Sequence, residues 1–353
     1  MSDIKIDSHK LIYHPEAVSH WLKGNNIYPI ELEISPNGGC NHRCIFCAVD
    51  YMGYQAVKLD KYVLLNNLRE IYPKGLKSVI YAGEGEPLLN KDISEIVQGT
   101  KSIGIDAAMS SNGVLLNKEL AQEILPSLTW IRFSISAATE SVYRRIHQCR
   151  ANDLERVLAN LASAVEIKQK NSLSVTLGAQ MLLMNDNKDE AVLLARKLGE
   201  IGIDYFTVKP FSYHPKSGHQ LVVDYQDMLS IENELKNLEN DNYKIYFRSG
   251  AMKKLQDERP YDKCYGLPFM SYIDTRGNIW PCIAFMGDPK MCYGNIYEQS
   301  FVEIWTSKRK KDIMDLFQKK EFLQENCREL CRLDEINRYL YQLKNPGDHV
   351  NFI

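Results

Sequence analysis

Between residues 30 and 209 short apolar runs alternate six times with amphipathic stretches, and that alternation sets the fold class. The apolar runs lie at 30–34, 78–82, 106–109, 130–135, 174–182 and 205–209. The stretches between them place apolar residues at helical spacing: Val63, Leu64, Leu68 and Ile71, then Ile93, Ile96, Val97 and Ile103, then Leu120 and Ile124, then Leu154, Val157, Leu158 and Leu161. Asp60 can cap the first helix, and Pro73-Lys74-Gly75 stops it. Repeated strand–helix units build a parallel sheet. Six units stop short of the eight that close a TIM barrel. Parallel α/β folds bind ligands at the carboxyl ends of their strands. Chemistry is therefore expected just after each apolar run.

Directly after the first run come the breakers Ser35-Pro36-Asn37-Gly38-Gly39, then Cys40-Asn41-His42-Arg43-Cys44-Ile45-Phe46-Cys47. Three cysteines at C-x3-C-x2-C in a tight loop can wrap one inorganic centre. Thiolates suit zinc or an iron–sulfur cluster. Structural zinc wants four protein ligands, so a zinc knuckle would recruit His42 or another cysteine. Three thiolates on a [4Fe–4S] cube leave one iron uncovered, and an open position on a metal is where substrate or cofactor binds.

This motif resembles that of the radical SAM superfamily. The resemblance implies that Cys40, Cys44 and Cys47 ligate a [4Fe–4S] cluster whose uncovered iron chelates S-adenosylmethionine. The cluster's electron would cleave that cofactor to a 5′-deoxyadenosyl radical, which abstracts hydrogen from substrate. Phe46 matches the aromatic position that packs near the adenine. The fold implied is α/β, a partial (β/α)6 barrel with a small C-terminal cysteine-rich α+β domain.

Gly83-Glu84-Gly85-Glu86-Pro87 follows the second run and is similar to the family's GGEP segment, with Glu84 at the usual first glycine. The resemblance implies that Glu84, Gly85 and Glu86 hold the cofactor's amino group; an ordinary turn is the plainer reading. Ser111-Asn112-Gly113 is similar to the family's T-N-G signature. Ser134 and Ser136 stand where relatives often have Ser-Leu-Asp-Gly and can reach the cofactor ribose or carboxylate. Gln180 can face the cofactor or be a buried amide bonded to backbone. Arg144, Arg145 and Arg150 follow the fourth run, and one of them, with Arg150 the candidate, can bind a carboxylate. Lys209-Pro210 ends the sixth run, with Tyr213 and His214 beyond. Lys209 is a candidate base or substrate anchor, or a snorkelling or ion-paired lysine.

Cys264, Cys282, Cys327 and Cys331 form a second set, separated by 17, 44 and 3 residues. A hairpin signal with a Gly277-Asn278 turn lies between the first two. The set resembles the Twitch or SPASM extensions of radical SAM enzymes and implies one auxiliary [4Fe–4S] cluster; four thiolates also suit zinc. Cys149 and Cys292 are left over. Some radical SAM epimerases deliver hydrogen from a free cysteine, which makes Cys149 or Cys292 a candidate donor, Cys149 the better placed, whereas a lone cysteine is more often a small core residue. The organisation expected is an extension at 1–29, a core at 30–215, a connector with one helix around 225–238 at 216–250, an auxiliary domain at 251–340 and a tail at 341–353.

With 353 residues the chain can bury a large core. A formal net charge of −2 gives no reason to expect a nucleic-acid partner. The basic run Lys308–Lys311 reads as a solvated helix face. No apolar stretch approaches the roughly 20 residues of a membrane span, and the first residues lack a signal-peptide run, so a cytoplasmic protein is expected. Nine cysteines in such a chain favour metal binding over disulfides. The leading expectation is oxidation of a small-molecule substrate, sugar- or aminocyclitol-like. The resemblance adds an electron donor such as flavodoxin or ferredoxin, with the auxiliary cluster taking the second electron. Epimerisation, modification of a ribosomal peptide and a zinc-stabilised binding protein are the alternatives. Only about 29 residues precede the first strand, few for a separate leader-binding domain.

Overall fold

The computed structural model describes residues 8–212, 214–219, 221–254, 258–328 and 330–352; Tyr213 lies outside them. Ten strands form one sheet: β1 Glu31–Ile34, β2 Ser78–Tyr81, β3 Asp106–Ser111, β4 Leu128–Ser134, β5 Thr176–Leu183, β6 Tyr205–Pro210, β7 Lys244–Phe247, β8 Met270–Ile273, β9 Asn278–Trp280 and β10 Gly294–Asn295. The helices are α1 Pro15–Leu22, α2 Lys61–Ile71, α3 Ile93–Ile103, α4 Lys118–Ile124, α5 Glu140–His147, α6 Asp153–Lys170, α7 Ala191–Ile201, α8 Ile231–Lys236, α9 Ser249–Lys253, α10 Phe301–Thr306, α11 Lys308–Leu316, α12 Lys320–Asn326 and α13 Asp334–Lys344. The sheet order is β10-β9-β8-β1-β2-β3-β4-β5-β6-β7. Strands β1 to β7 run parallel in sequence order.

The six expected strands are present within about two residues of their sequence boundaries, and two further parallel strands flank them. β7 lies inside the stretch read as a connector; four residues are too few to show a period. β8 pairs parallel with β1, Glu33 opposite Tyr272. The C-terminal region thus enters the barrel's own sheet, with the β8–β9 hairpin turning at Gly277. Asp274 stabilises that turn by accepting from the backbone of Arg276 and Asn278 and from Trp280 Nε1, each at 2.9 Å.

Residues pointing outward from the parallel strands, among them Leu32, Ile34, Val79, Met109, Phe133, Met181 and Val208, join the helix faces in one apolar core. Asp60 caps α2 as its sequence suggests, accepting from the backbone of Tyr62 and Val63. The alternate residues face the barrel interior: Glu31 and Glu33 on β1, Arg132 and Ser134 on β4, Gln180 on β5, Tyr205, Thr207 and Lys209 on β6. The sparse apolar residues of the N-terminal stretch pack with the C-terminal one: Leu11, Val18 and Ile27 meet Tyr261, Phe269 and Leu340. Trp305 Nε1 donates to the Ile27 carbonyl at 2.8 Å.

The basic run at the start of α11 divides by face. Lys308 and Lys311 pair with Asp312 and Asp315 on the outside. Lys310 is buried over the Trp305 ring at 4.3 Å, and burial pushes its ammonium down to about 8. Between pH 8 and pH 10 the folded chain has released this proton while the unfolded chain keeps it, so this group's penalty on stability shrinks as pH rises. Chemical denaturation of Lys310→Met should show a gain of about 1–3 kcal/mol over wild type at pH 7. That gain should narrow towards pH 10.

Candidate active site

The loop after β1 is set by backbone contact before any ligand is considered. Gly38 N donates to Val57 O at 2.9 Å, and Asn37 Nδ2 closes on Gly39 O at 2.8 Å. Across from it lies the turn after β2. Glu86 N donates to Gly39 O at 2.8 Å. Gly85 has φ +71°, and a Cβ there would stand 2.0 Å from the Asn37 carbonyl oxygen. Only glycine allows both that φ and that approach. Behind the loop, the C-terminus of α5 holds its other side: Arg43 N donates to His147 O and Ile45 N to Ile146 O.

Glu86 is buried, and its carboxylate accepts from Ser111 Oγ at 2.7 Å, Asn112 N at 2.8 Å and Leu88 N at 3.1 Å. Burial raises its pKa against these donors. Asn112 Nδ2 in turn donates to Asn41 Oδ1 at 2.7 Å, inside the cysteine loop. Glu86, Ser111 and Asn112 are thus one network joining the ends of β2 and β3 to Asn41, the residue after Cys40. Glu84 turns the other way: its Oε1 accepts from Thr275 N at 3.0 Å and Thr275 Oγ1 at 2.7 Å, in the β8–β9 turn.

His147 touches the cysteine set directly. Its Nε2 accepts from Ser136 N at 3.1 Å, which leaves the proton on Nδ1, 3.3 Å from Cys44 Sγ. Burial holds the ring well below its usual pKa and therefore neutral. It stacks on Tyr143 and meets Phe46 edge-on at 5.2 Å. Nothing in the spacing of the cysteine motif points to a histidine 103 residues later; the only local signal was its place at the end of a helix after β4. Ser136 is buried, its Oγ accepting from Leu182 N. Ser134 pairs laterally with Gln180 on the interior face. The Gln180 amide has no hydrogen-bond partner among the described residues. Cys149 lies behind the loop, grouped with His42 and Asp153, its thiol pushed up to about 11 by burial. Arg144, Arg145 and Arg150 are exposed on the outer surface.

The second set converges as well. Cys264, Cys282, Cys327 and Cys331 line one cavity with Phe285, Phe317 and Leu323. The Cys327 thiolate is favoured by a hydrogen bond from Cys331 and by Arg259, while Cys331 is pushed up. Cys292 stands apart, its thiol 3.4 Å from Gly294 O. Arg328 and Arg332 border the same cavity, and Arg332 reaches into the barrel to pair with Glu31 at 2.7 Å and with Glu33. The segments beside the two cysteine sets touch: Tyr51, four residues past Cys47, brings its hydroxyl to the carbonyls of Ile283 and Met286, just after Cys282, at 3.4 and 3.2 Å.

The radical SAM superfamily model matches residues 34–199, and the SPASM iron–sulfur cluster-binding domain matches residues 264–332. The chain belongs to the radical SAM superfamily. A tungsten-containing aldehyde ferredoxin oxidoreductase cofactor-modifying protein of Pyrococcus furiosus is 25% identical over 292 residues, 76% of this chain and 79% of that protein. A probable GTP 3′,8-cyclase of Saccharolobus solfataricus is 27% identical over 244 residues, 68% of this chain and 72% of that one. Among solved structures, Streptococcus suis SuiB bound to precursor peptide SuiA superposes with a TM-score of 0.68 at 18% identity, covering 98% of this chain and 82% of that one. At that identity the likeness shows the fold. No helix among the described residues is long and apolar enough to cross a membrane.

Radical SAM cores carry a [4Fe–4S] cluster and bind S-adenosylmethionine, and SPASM domains carry auxiliary iron–sulfur clusters. The donor sets fit such groups. The three cysteines of the first set share one loop, and the four of the second line one cavity; three and four thiolates match the ligand numbers of an open and of a fully ligated cube. Burial raises the Cys40 thiol to about 12 and the Cys44 and Cys47 thiols as well. Mutual repulsion of their anions adds to this at Cys40 and Cys44, a conflict that cationic iron relieves. Gly85→Ala should displace the loop. A misplacement near 1 Å costs about 100-fold in rate, so 5′-deoxyadenosine formation should fall by about that factor, with a folded protein by circular dichroism.

Proposed function

We propose that this radical SAM protein oxidises a small polar molecule, sugar- or aminocyclitol-like, bound inside the barrel between the two cysteine sets. The observation that carries the reading is their adjacency: Tyr51 joins the loop of the first to the loop of the second, and Arg332 lines both the second cavity and the barrel interior. On this reading Cys40, Cys44 and Cys47 hold the core cluster, and Cys264, Cys282, Cys327 and Cys331 hold one auxiliary cluster. When bound, the core cluster and S-adenosylmethionine supply a radical that removes hydrogen from carbon, and the auxiliary cluster supplies an electron acceptor.

The chain's own residues orient and enclose. Glu86 fixes Ser111 and Asn112 beside the cysteine loop, which leaves the backbone of the 83–85 turn to receive the cofactor's ammonium group. Phe46 and Ser134 remain the candidates for its adenine and ribose. The Gln180 amide, unpartnered and on the interior face, is suited to hold substrate or cofactor. Glu84 binds the β8–β9 turn instead and sets how the second cysteine set meets the barrel. The names of the two relatives above, one a cofactor-modifying protein and one a probable cyclase of GTP, support a small molecule over a peptide. Cys149, packed behind the loop with His42 and Asp153, and Cys292, whose thiol is turned to Gly294 O, favour oxidation over a cysteine-quenched epimerisation.

The test is an anaerobic incubation of reconstituted enzyme with a panel of sugar and aminocyclitol alcohols in deuterated water. The expected product is two mass units lighter than its substrate, with no solvent deuterium at the reacting carbon. Solvent deuterium at that carbon without oxidation would replace this reading with epimerisation.

A further inference from the structure

The barrel interior is charged out of balance. Its face carries two carboxylates, Glu31 and Glu33, and Arg332 is engaged with both. Arg132 on β4 and Lys209 on β6 face the same interior, with Arg328 and Arg248 close enough to act on Lys209 electrostatically. Among the described residues neither Arg132 nor Lys209 makes an ion pair or a side-chain hydrogen bond. The Arg132 Nε is buried without a partner among the described residues, and its guanidinium lies 5.4 Å from the Trp130 ring, with Tyr205 and Glu33 close enough to act on it electrostatically. Burial and the surrounding arginines hold Lys209 well below its usual pKa. Arg332 already engages Glu31 and Glu33, so Arg132, Lys209 and Arg328 share the interior with no carboxylate of their own in ion-pair contact among the described residues, and like charges that converge on one space disfavour one another.

The strand register shows where this space is. Arg132 pairs laterally with Gly178, which offers no side chain, and the Tyr205 ring covers that glycine. Ser134, Gln180 and Thr207 form the next step of the same face. Lys209 stands one step further, beside Leu182, near the rim where the cysteine loop begins. The cations thus form a wall from mid-barrel to rim, with the side chains of Ser134, Gln180 and Thr207 beside them. Arg328 extends this wall to the cavity of the second cysteine set.

We propose that Arg132, Lys209 and Arg328 form an oxyanion site in the barrel interior that holds a carboxylate or phosphate of the substrate. The proposal rests on the barrel interior being the substrate chamber, as argued above. It narrows the substrate from a polar molecule to one with an anionic group, anchored across the chamber from the carbon that reacts. Planar guanidinium suits both anions through paired hydrogen bonds, and lysine adds a point charge.

The experiment titrates reconstituted enzyme with sodium phosphate and, separately, sodium succinate by calorimetry, with chloride holding ionic strength constant. Wild type should bind at least one of them. Phosphate preference marks a phosphate ester as the substrate, and succinate preference marks a carboxylate. Affinity should fall tenfold or more in Arg132→Gln and in Lys209→Gln, and return in part in Lys209→Arg, with circular dichroism confirming the fold; Arg132→Lys serves if Arg132→Gln does not fold. No binding to wild type, or equal binding to all variants, would overturn the proposal. So would a parallel tenfold loss of S-adenosylmethionine affinity, because the cations would then serve the cofactor carboxylate. Anion binding needs no turnover, so absent 5′-deoxyadenosine would count against the radical reaction, not against this site.

Discussion

The close approach of two backbone segments at Gly85 is the constraint from which the rest of the site follows. The turn after β2 lies so near the Asn37 carbonyl that no side chain fits there. That approach lets Glu86 N reach Gly39 O, and it aims the buried Glu86 carboxylate at Ser111 and Asn112. Asn112 then returns to Asn41 between the first two cysteines. Glu86 ties three strand ends, its carboxylate to the end of β3 and its backbone N to the loop after β1, and the cysteine loop has little freedom left before any iron binds. Ordering costs of this kind are met by the fold rather than by the ligand.

A second constraint couples the two halves of the chain. β8 adds to the edge of β1, so the C-terminal region shares the barrel's hydrogen-bonded sheet. Glu84 to Thr275, Tyr51 to Met286 and Arg332 to Glu31 cross the same boundary. Glu84 and Thr275 are buried, so separating the halves would leave that carboxylate unpaired. The two cysteine sets are therefore held at a fixed relation by the fold itself.

Much of this was legible in the sequence because its signals are local. The C-x3-C-x2-C loop after an apolar run, the six strand–helix alternations and the Asp60 cap each depend on a few neighbouring residues. The hairpin at Gly277 is of the same kind. What was not legible depends on distant pairing. His147 meets Cys44 only because α5 packs behind the loop. β7 is a four-residue strand, recognisable through its pairing with β6 rather than its own pattern. Lys310 reads as solvated within a basic run, yet its helix face turns it onto Trp305. The interior charges were half visible: Glu31 and Glu33 alternate with Leu32 and Ile34, and Arg132 alternates with Ile131 and Phe133. A charge at every second position of a buried parallel strand is unusual, since such strands read as near-continuous apolar runs.

The account's central claim is that each cysteine set holds its own iron–sulfur cluster. Iron and sulfide content with Mössbauer spectra, after anaerobic reconstitution, tests it most directly when wild type is compared with a triple Cys40/Cys44/Cys47→Ala variant. The account predicts about eight irons in wild type and about four in the variant, one cube on each set. About four irons falling to none would contradict it, leaving the C-terminal cysteines without a cluster.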